Sequence, residues 1–422
     1  MYRFNARFSC VLVAACLTAG PLHAERENIW MRFSDAAAQT GAGQTTYNRE
    51  FIKHWENNPA PGFPTLSPAN IEPTKAAVAR YAEIVKRGGW PVLPDIRLEA
   101  GMAHPAVETL RRRLAIAGHL AYDADYGDTF DLNLDKGLKR FQAANGLAPT
   151  GVLDKLTLAA LNVSAVERLH QLRANLVKLQ ALSRTAARKY IAVNIPAAQI
   201  EAVEGDRIVT RHAGVVGKID RQTPELASSI HEMNFNPVWH LPPTVIDKDL
   251  IPKGLQQRPG ESVLVKYGID AYDGNGKKLD PYSVKWSSPG ARTLQYRQPP
   301  GKDNPLGFVK INFNNRHAVY MHATPSTSQS ANFRAASSGC VRVLHGMDKL
   351  ALWLLADNGG WTAAHIERLK TNTERYDTPL RRSVPIRFVY ITAWATPDGA
   401  IHFRRDLYGK YPLRRLQPLR KQ

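Results

Sequence analysis

Apolar residues recur at helical spacing in five stretches before residue 190, and at alternate positions after it. In the first stretch, over 72–86, Ala77, Val78, Tyr81, Ala82 and Val85 share a face, and Gly88-Gly89 supplies a C-terminal stop. Trp90-Pro91-Val92-Leu93-Pro94 then reads as a rigid connector. His104-Pro105 places a proline at a first helical turn, followed by Val107, Leu110, Leu114 and Ala117 and closed by Gly118. Leu134, Leu138, Phe141 and Gln142 define a helix closing at Asn145-Gly146, and Leu156, Leu158 and Leu161 a third, over 154–162. Three short amphipathic helices within 96–163 make one small core. Ser164 and Glu167 form a capping box for a long helix over 164–189, with Val166, Leu169, Leu172, Leu176 and Leu179 as its apolar stripe.

Beyond residue 190 the period is two. Residues 190–194, 199–203 and 207–216 read as strands, with Glu204-Gly205-Asp206 as a turn. A hairpin is expected from 308–313 and 318–322 about Asn314-Asn315, a short strand at 341–343, a helix at 348–356, and strands 387–395 and 400–403 paired across Pro397-Asp398-Gly399. Between them, a Gly/Pro-rich insertion at about 241–306 has the length of a lid or binding loop. Gly274-Asn275-Gly276 within it reads as a turn. The expected fold class is α+β. A helical N-terminal region (25–95), the three-helix unit (96–163) and a scaffold helix (164–189) precede a mostly β domain (190–412), and a basic tail (413–422) follows.

A length of 422 residues accommodates two or three such domains. Hydrophobic residues at 44% and charged residues at 22% provide for a packed core. The 56 Lys and Arg exceed the 37 Asp and Glu, a net charge of +19 that calls for an anionic partner. Three cysteines exclude a disulfide-rich scaffold and a cysteine-based zinc site. Residues 1–24 read as a secretory signal: Arg3 and Arg7, an apolar run over 8–19, and a small residue at Ala24. The run is too short to span a membrane. Lipoprotein processing at Cys16, after Val13-Ala14-Ala15, is the alternative. Cleavage after Ala24 lowers the charge from +19 to +17, removes Cys10 and Cys16, and leaves Cys340 as the one cysteine. Export also argues against a nucleic-acid partner.

A lone thiol in an exported chain points to reactivity or intermolecular pairing. The stretch Tyr320-Met321-His322-Ala323-Thr324-Pro325, then Ser337-Ser338-Gly339-Cys340-Val341-Arg342, puts a histidine and a cysteine at the ends of two strand-like runs. An imidazole beside the thiol can take its proton, giving a thiolate–imidazolium pair. Gly339 permits close backbone approach, and amides around Gly339 and Cys340 could hold an oxyanion. Arg342, two residues on, shares the strand face of Cys340. No His-Glu-x-x-His, Gly-x-Ser-x-Gly or phosphate-binding loop occurs, so no metal and no cofactor is implied.

In order and spacing these residues resemble the YkuD-type L,D-transpeptidase catalytic family, whose signature is His-Gly-Thr-Pro followed by Ser-x-Gly-Cys-[Ile/Val]-Arg. Ala323 stands where that family has glycine, and Ser338 where many members have histidine. The Ser-Ser-Gly-Cys form, with segments such as Asp220-Arg221-Gln222-Thr223-Pro224 and Asn304-Pro305-Leu306-Gly307, is similar to the large YcbB-like subgroup. The pattern Leu138, Phe141-Gln142, Gly146-Leu147, Thr150-Gly151, Thr157, Leu161-Asn162 resembles the peptidoglycan-binding domain family. The resemblance implies a mostly β catalytic domain in which the 241–306 insertion caps the site. It implies a periplasmic, wall-associated enzyme acting on peptidoglycan stem peptides, possible partners among other wall-synthesis proteins, and no membrane span. It implies Cys340 as nucleophile, His322 as general base, Gly339 and Cys340 amides as oxyanion donors, and Ser337, Ser338, Tyr320 and Arg342 as residues shaping the site. The implied reaction is 3→3 cross-linking between diamino acids with release of D-Ala. Hydrolysis by the same cysteine, as a carboxypeptidase or cross-link hydrolase, and a non-catalytic wall-binding role are the alternatives.

Overall fold

A computed structural model of the chain describes residues 62–121, 127–183, 187–325 and 334–411, all within the compact unit Ala42–Gln422. The signal segment with Cys16, the first part of the N-terminal region and the basic tail lie outside the described residues.

The helices before residue 190 follow the sequence pattern closely. They run over Ile71–Lys86, Ala106–Ala117, Leu132–Ala144, Lys155–Leu161 and Ala165–Ser183. Asp131 and Asp154 cap two of them by accepting from Leu134 N–H and Thr157 N–H, both at 2.8 Å. Ser164 and Glu167 form the expected reciprocal box: Ser164 N–H donates to the carboxylate at 3.0 Å, and Glu167 N–H returns to Ser164 Oγ at 3.2 Å. The Ala165–Ser183 stripe departs from expectation. Val166 is exposed, and the buried face runs through Ala165, Arg168, Leu169, Leu172, Asn175 and Leu179. That helix packs against both the Ile71–Lys86 helix and strand Ala393–Ala395, so its inward face is turned from the one the apolar residues alone suggest.

In the three-helix unit, Val107, Leu110, Leu114, Leu134, Leu138, Phe141, Leu158 and Leu161 make one core. Gln142 is its polar hub. Its amide donates to Thr150 Oγ1, Val152 O and Thr157 Oγ1 at 2.9–3.0 Å and accepts from Gly151 N–H at 2.8 Å. Arg168 and Arg404 seat the unit on the rest of the chain by donating to Ala160 O and Ala144 O, while Arg113 donates to Leu161 O within it. These carbonyls lie at helix C-termini, where cations suit the dipole.

The remainder is built on a nine-stranded sheet. Its strands are β1 (Lys189–Asn194), β2 (Gln199–Glu204), β3 (Arg207–Gly217), β4 (Leu226–Phe235), β8 (Val309–Phe313), β9 (Met321–His322), β10 (Ala335–Ser337), β11 (Val341–Val343) and β12 (Tyr376–Val389). The order is β10-β3-β11-β9-β8-β4-β12-β1-β2, and a further β2–β3 pairing closes the sheet on itself. Strand β1 shows why: Ile191 and Val193 enter the interior with Met321, Val341 and the Met347–Leu354 helix, while Tyr190 and Ala192 pack outward against Leu66 and Leu179.

Three strand expectations change. The second hairpin arm is ordered as strand only at Met321–His322, because Asn315 takes over the ladder: its side chain donates to Phe313 O and Val319 O and accepts from His317 N–H and Val319 N–H. The expected strand over 387–395 divides into the end of β12 and β13 (Ala393–Ala395), which pairs with β14 (Ile401–Phe403). Strand β4, central in the sheet, escapes the period-two pattern because a register shift between Ile230 and Glu232 moves the inward parity from Ile230 to Met233 and Phe235.

The insertion is a folded body. Strands β5 (Trp239–His240), β6 (Asp270–Tyr272) and β7 (Gln295–Gln298) pair in the order β5-β7-β6. With the helical turns Ile246–Leu250, Ile251–Leu255 and Val263–Tyr267 they enclose Leu250, Leu264, Ala271, Trp286 and Tyr296.

Candidate active site

Strand β11 lies parallel to β9 with Arg342 opposite His322, and β8 lies antiparallel on the other side with Lys310 opposite His322. Met321 and Val341 point into the core. By the alternation of strands, Tyr320, His322, Cys340, Arg342 and Lys310 therefore share the opposite face. The Tyr320 and His322 ring centroids are 5.6 Å apart, and Lys310 Nζ sits 4.7 Å over the Tyr320 ring.

The turn that presents Cys340 is set by Ser337. Its hydroxyl donates to Cys340 O at 2.5 Å and accepts from Gly339 N–H at 3.1 Å. Gly339 has φ of +112°, a conformation that only glycine adopts readily. A second turn supports it from below. Thr223 Oγ1 donates to Gly339 O at 2.8 Å while accepting from Gly217 N–H at 2.8 Å, and Lys218 N–H donates to Ser337 O at 2.9 Å. At Gly217 a Cβ would lie 2.1 Å from Arg221 O, so no side chain fits there. Ser338 is held by Arg221, whose Nη1 donates both to Ser338 Oγ at 2.8 Å and to Asp249 Oδ2 at 2.7 Å. Asp249 belongs to the insertion, and Trp239 of the insertion also hydrogen-bonds the Tyr320 side chain. The insertion is thus tied to the site at two points.

The electrostatics depart from the expected ion pair. Burial, the Arg342 cation and Lys310 hold the His322 imidazole down to about 3, against the pull of the Ala323 and Leu306 carbonyls. Burial pushes the Cys340 thiol up. Hydrogen bonds from the Tyr320 backbone and side chain, with Arg342 and Lys310, act in the opposite sense. At neutral pH the resting pair is a neutral imidazole beside a thiol, rather than thiolate–imidazolium. His322 Nδ1 lies 2.6 Å from Ala323 O. A carbonyl only accepts, so Nδ1 carries the proton and Nε2 is left as acceptor.

The two amides also separate. Gly339 N–H, expected as an oxyanion donor, is already committed to Ser337 Oγ. Among the described residues Cys340 N–H has no hydrogen-bond acceptor. Arg342 Nε is buried without a hydrogen-bond partner. Lys310 and Arg221 were not found by sequence reasoning. The signal for Lys310 is the alternation of β8, whose polar positions fall on the face of His322; Arg221 stands within the segment Asp220-Arg221-Gln222-Thr223-Pro224, with no role assigned to it. The segment 326–333, between the two halves of the motif, lies outside the described residues.

Residues 188–373 match the family model described as "L,D-transpeptidase catalytic domain" (YkuD), and residues 103–161 match "Putative peptidoglycan binding domain". The chain carries an L,D-transpeptidase catalytic domain of the YkuD type together with a peptidoglycan-binding domain. A "Putative L,D-transpeptidase" of Haemophilus influenzae is 31% identical over 221 residues, 52% of this chain and 44% of the relative. The chain thus spans under half the length of that curated relative. Among solved structures, L,D-transpeptidases of Xylanimonas cellulosilytica and Stackebrandtia nassauensis are similar at 16% and 15% identity. Each match covers 71% of this chain, with 98% and 96% of the other, at TM-scores of 0.22 and 0.26.

Proposed function

We propose that the chain is an exported, wall-associated peptidoglycan L,D-transpeptidase that forms 3→3 cross-links through a Cys340 acyl-enzyme. The observation that carries the reading is the shared sheet face of Cys340, His322, Tyr320 and Arg342, within a domain that matches the L,D-transpeptidase family.

In the proposed cycle the substrate carbonyl carbon of the third stem residue meets Cys340 Sγ. The proton leaves sulfur for His322 Nε2 as the C–S bond forms, which the neutral imidazole permits. Arg342 and Lys310 stabilise the anionic sulfur on the way. The Cys340 amide holds the developing oxyanion, an interaction worth about 2.7–4 kcal/mol per donor in comparable sites. The proton then passes from His322 to the departing D-Ala nitrogen. The side-chain amine of a second stem's diamino acid attacks the thioester and restores the thiol. Ser337 and Gly339 shape the nucleophile turn, and Ser338, through Arg221, links it to the insertion acting as a cap. The peptidoglycan-binding domain at 103–161 supports placement at the wall, as does the charge of +17 that signal cleavage would leave, from +19 less Arg3 and Arg7, facing a carboxylate-rich polymer. No described helix is long and apolar enough to cross a membrane.

The test is mass spectrometry of products from purified tetrapeptide muropeptides. Cross-linked dimers with release of D-Ala are expected. Tripeptides alone would assign the cysteine to hydrolysis.

A further inference from the structure

Strand β8 sends Val309, Ile311 and Phe313 into the core and leaves Lys310 and Asn312 half-buried on the face of the reactive residues. Across that face the register reads Arg342, His322, Lys310 on three neighbouring strands, at about 5 Å per strand. One cation therefore stands on each side of the imidazole. Cys340 directly precedes β11, which carries Arg342, so a stem peptide acylated on Cys340 is anchored at the Arg342 side. The side open to a second chain is the one that Lys310 occupies. The Lys310 ammonium rests on the Tyr320 ring, Cys340, Glu232 and Asp377 act on it through space, and among the described residues it makes no salt bridge. Beyond it the polar face continues over β8, β4 and β12. Asn312 donates to Asn234 Oδ1 at 2.5 Å and Asn234 to Asp377 Oδ1 at 2.8 Å. His240 of the insertion stands within electrostatic reach of Arg297, Lys310 and Arg375.

We propose that this strip receives the acceptor stem and that Lys310 binds the carboxylate borne by the same carbon as the attacking amine. The inference rests on the transpeptidase reading and specifies its acceptor: an amine with a neighbouring carboxylate, as in diaminopimelate, rather than an amine on a bare methylene, as in lysine. In the transfer step the amine nitrogen forms a bond to the thioester carbonyl carbon and the C–S bond breaks. The proton shed by the amine moves to His322 Nε2 and then to the Cys340 sulfur. A carboxylate one strand away on Lys310 would hold the amine between His322 and the thioester.

The experiment measures the ratio of cross-linked dimer to tripeptide. Both products come from one acyl-enzyme, so the ratio does not depend on how fast that intermediate forms. The acceptor is a diaminopimelate stem with either a free side-chain carboxylate or its carboxamide. With the unaltered enzyme the carboxamide should lower the ratio about tenfold or more, the scale of a hydrogen bond to a charged group. Lys310→Met should give the low ratio with both acceptors, and Lys310→Arg should restore the preference for the carboxylate. Equal use of both acceptors by the unaltered enzyme, or a Lys310→Met enzyme that still discriminates, would overturn the assignment. Absence of D-Ala release from the unaltered enzyme would instead overturn the transpeptidase reading and this one with it.

Discussion

His322 holds its Nδ1 2.6 Å from the carbonyl oxygen of its own neighbour, Ala323. That contact fixes the tautomer, and burial, with Arg342 and Lys310, holds the imidazole down to about 3, so it is neutral near pH 7. The thiol is displaced in the opposite direction, above its ordinary range. Its thiolate fraction is therefore small at neutral pH and grows as pH rises through the raised value. Alkylation of Cys340 by iodoacetamide should accelerate continuously past pH 9, and Arg342→Met should shift the curve further up by removing a cation. A plateau already reached at pH 6–7 would mean a resting thiolate–imidazolium pair.

Ser337 carries a structural load that its neighbours cannot share. In Ser337→Ala the buried Gly339 N–H loses its acceptor and the Cys340 carbonyl a donor. Leaving such a group unpaired costs about 1–3 kcal/mol. Urea unfolding should show a lower midpoint at unchanged slope, and cross-linking turnover should fall with it. An unchanged midpoint would show that the hydroxyl does not hold the turn.

Arg221 joins the nucleophile turn to the insertion through Ser338 and Asp249. Arg221→Met removes both bonds at once. Hydrogen exchange in the 241–306 insertion should then quicken, and turnover should drop about tenfold, the effect of losing a hydrogen bond to a charged group. Exchange confined to its original rate would place the tie between insertion and site elsewhere.

Gln142 spends its whole amide inside the three-helix unit. Gln142→Leu strands Gly151 N–H and two hydroxyls. Limited proteolysis should cut first within 96–163, and sacculus pull-down should weaken while Cys340 alkylation stays measurable. Unchanged binding to sacculi would separate this unit from wall attachment.

Much of the architecture was legible because it rests on local rules. The helix over 154–162, the cap at Ser164, the Glu204-Gly205-Asp206 turn and the short strands ending at His322 and following Cys340 follow from spacing and turn chemistry within a few residues. What escaped depends on long-range register. The shift at Ile230–Glu232 hides β4, and a helix lying between two partners turns Val166 outward. Lys310 joins the site only through cross-strand pairing. The neutral state of His322 arises first from burial, then from the motif's Arg342 and from Lys310, which the motif does not record.

The central claim is that Cys340 becomes acylated by the stem peptide. Intact-protein mass spectrometry of the purified enzyme, quenched in acid during turnover of a tetrapeptide, tests it most directly. The account predicts an adduct of the substrate mass less D-Ala, mapping on digestion to the peptide that contains Cys340 and absent from Cys340→Ala. An adduct on another residue, or cross-linking retained by Cys340→Ala, would contradict it.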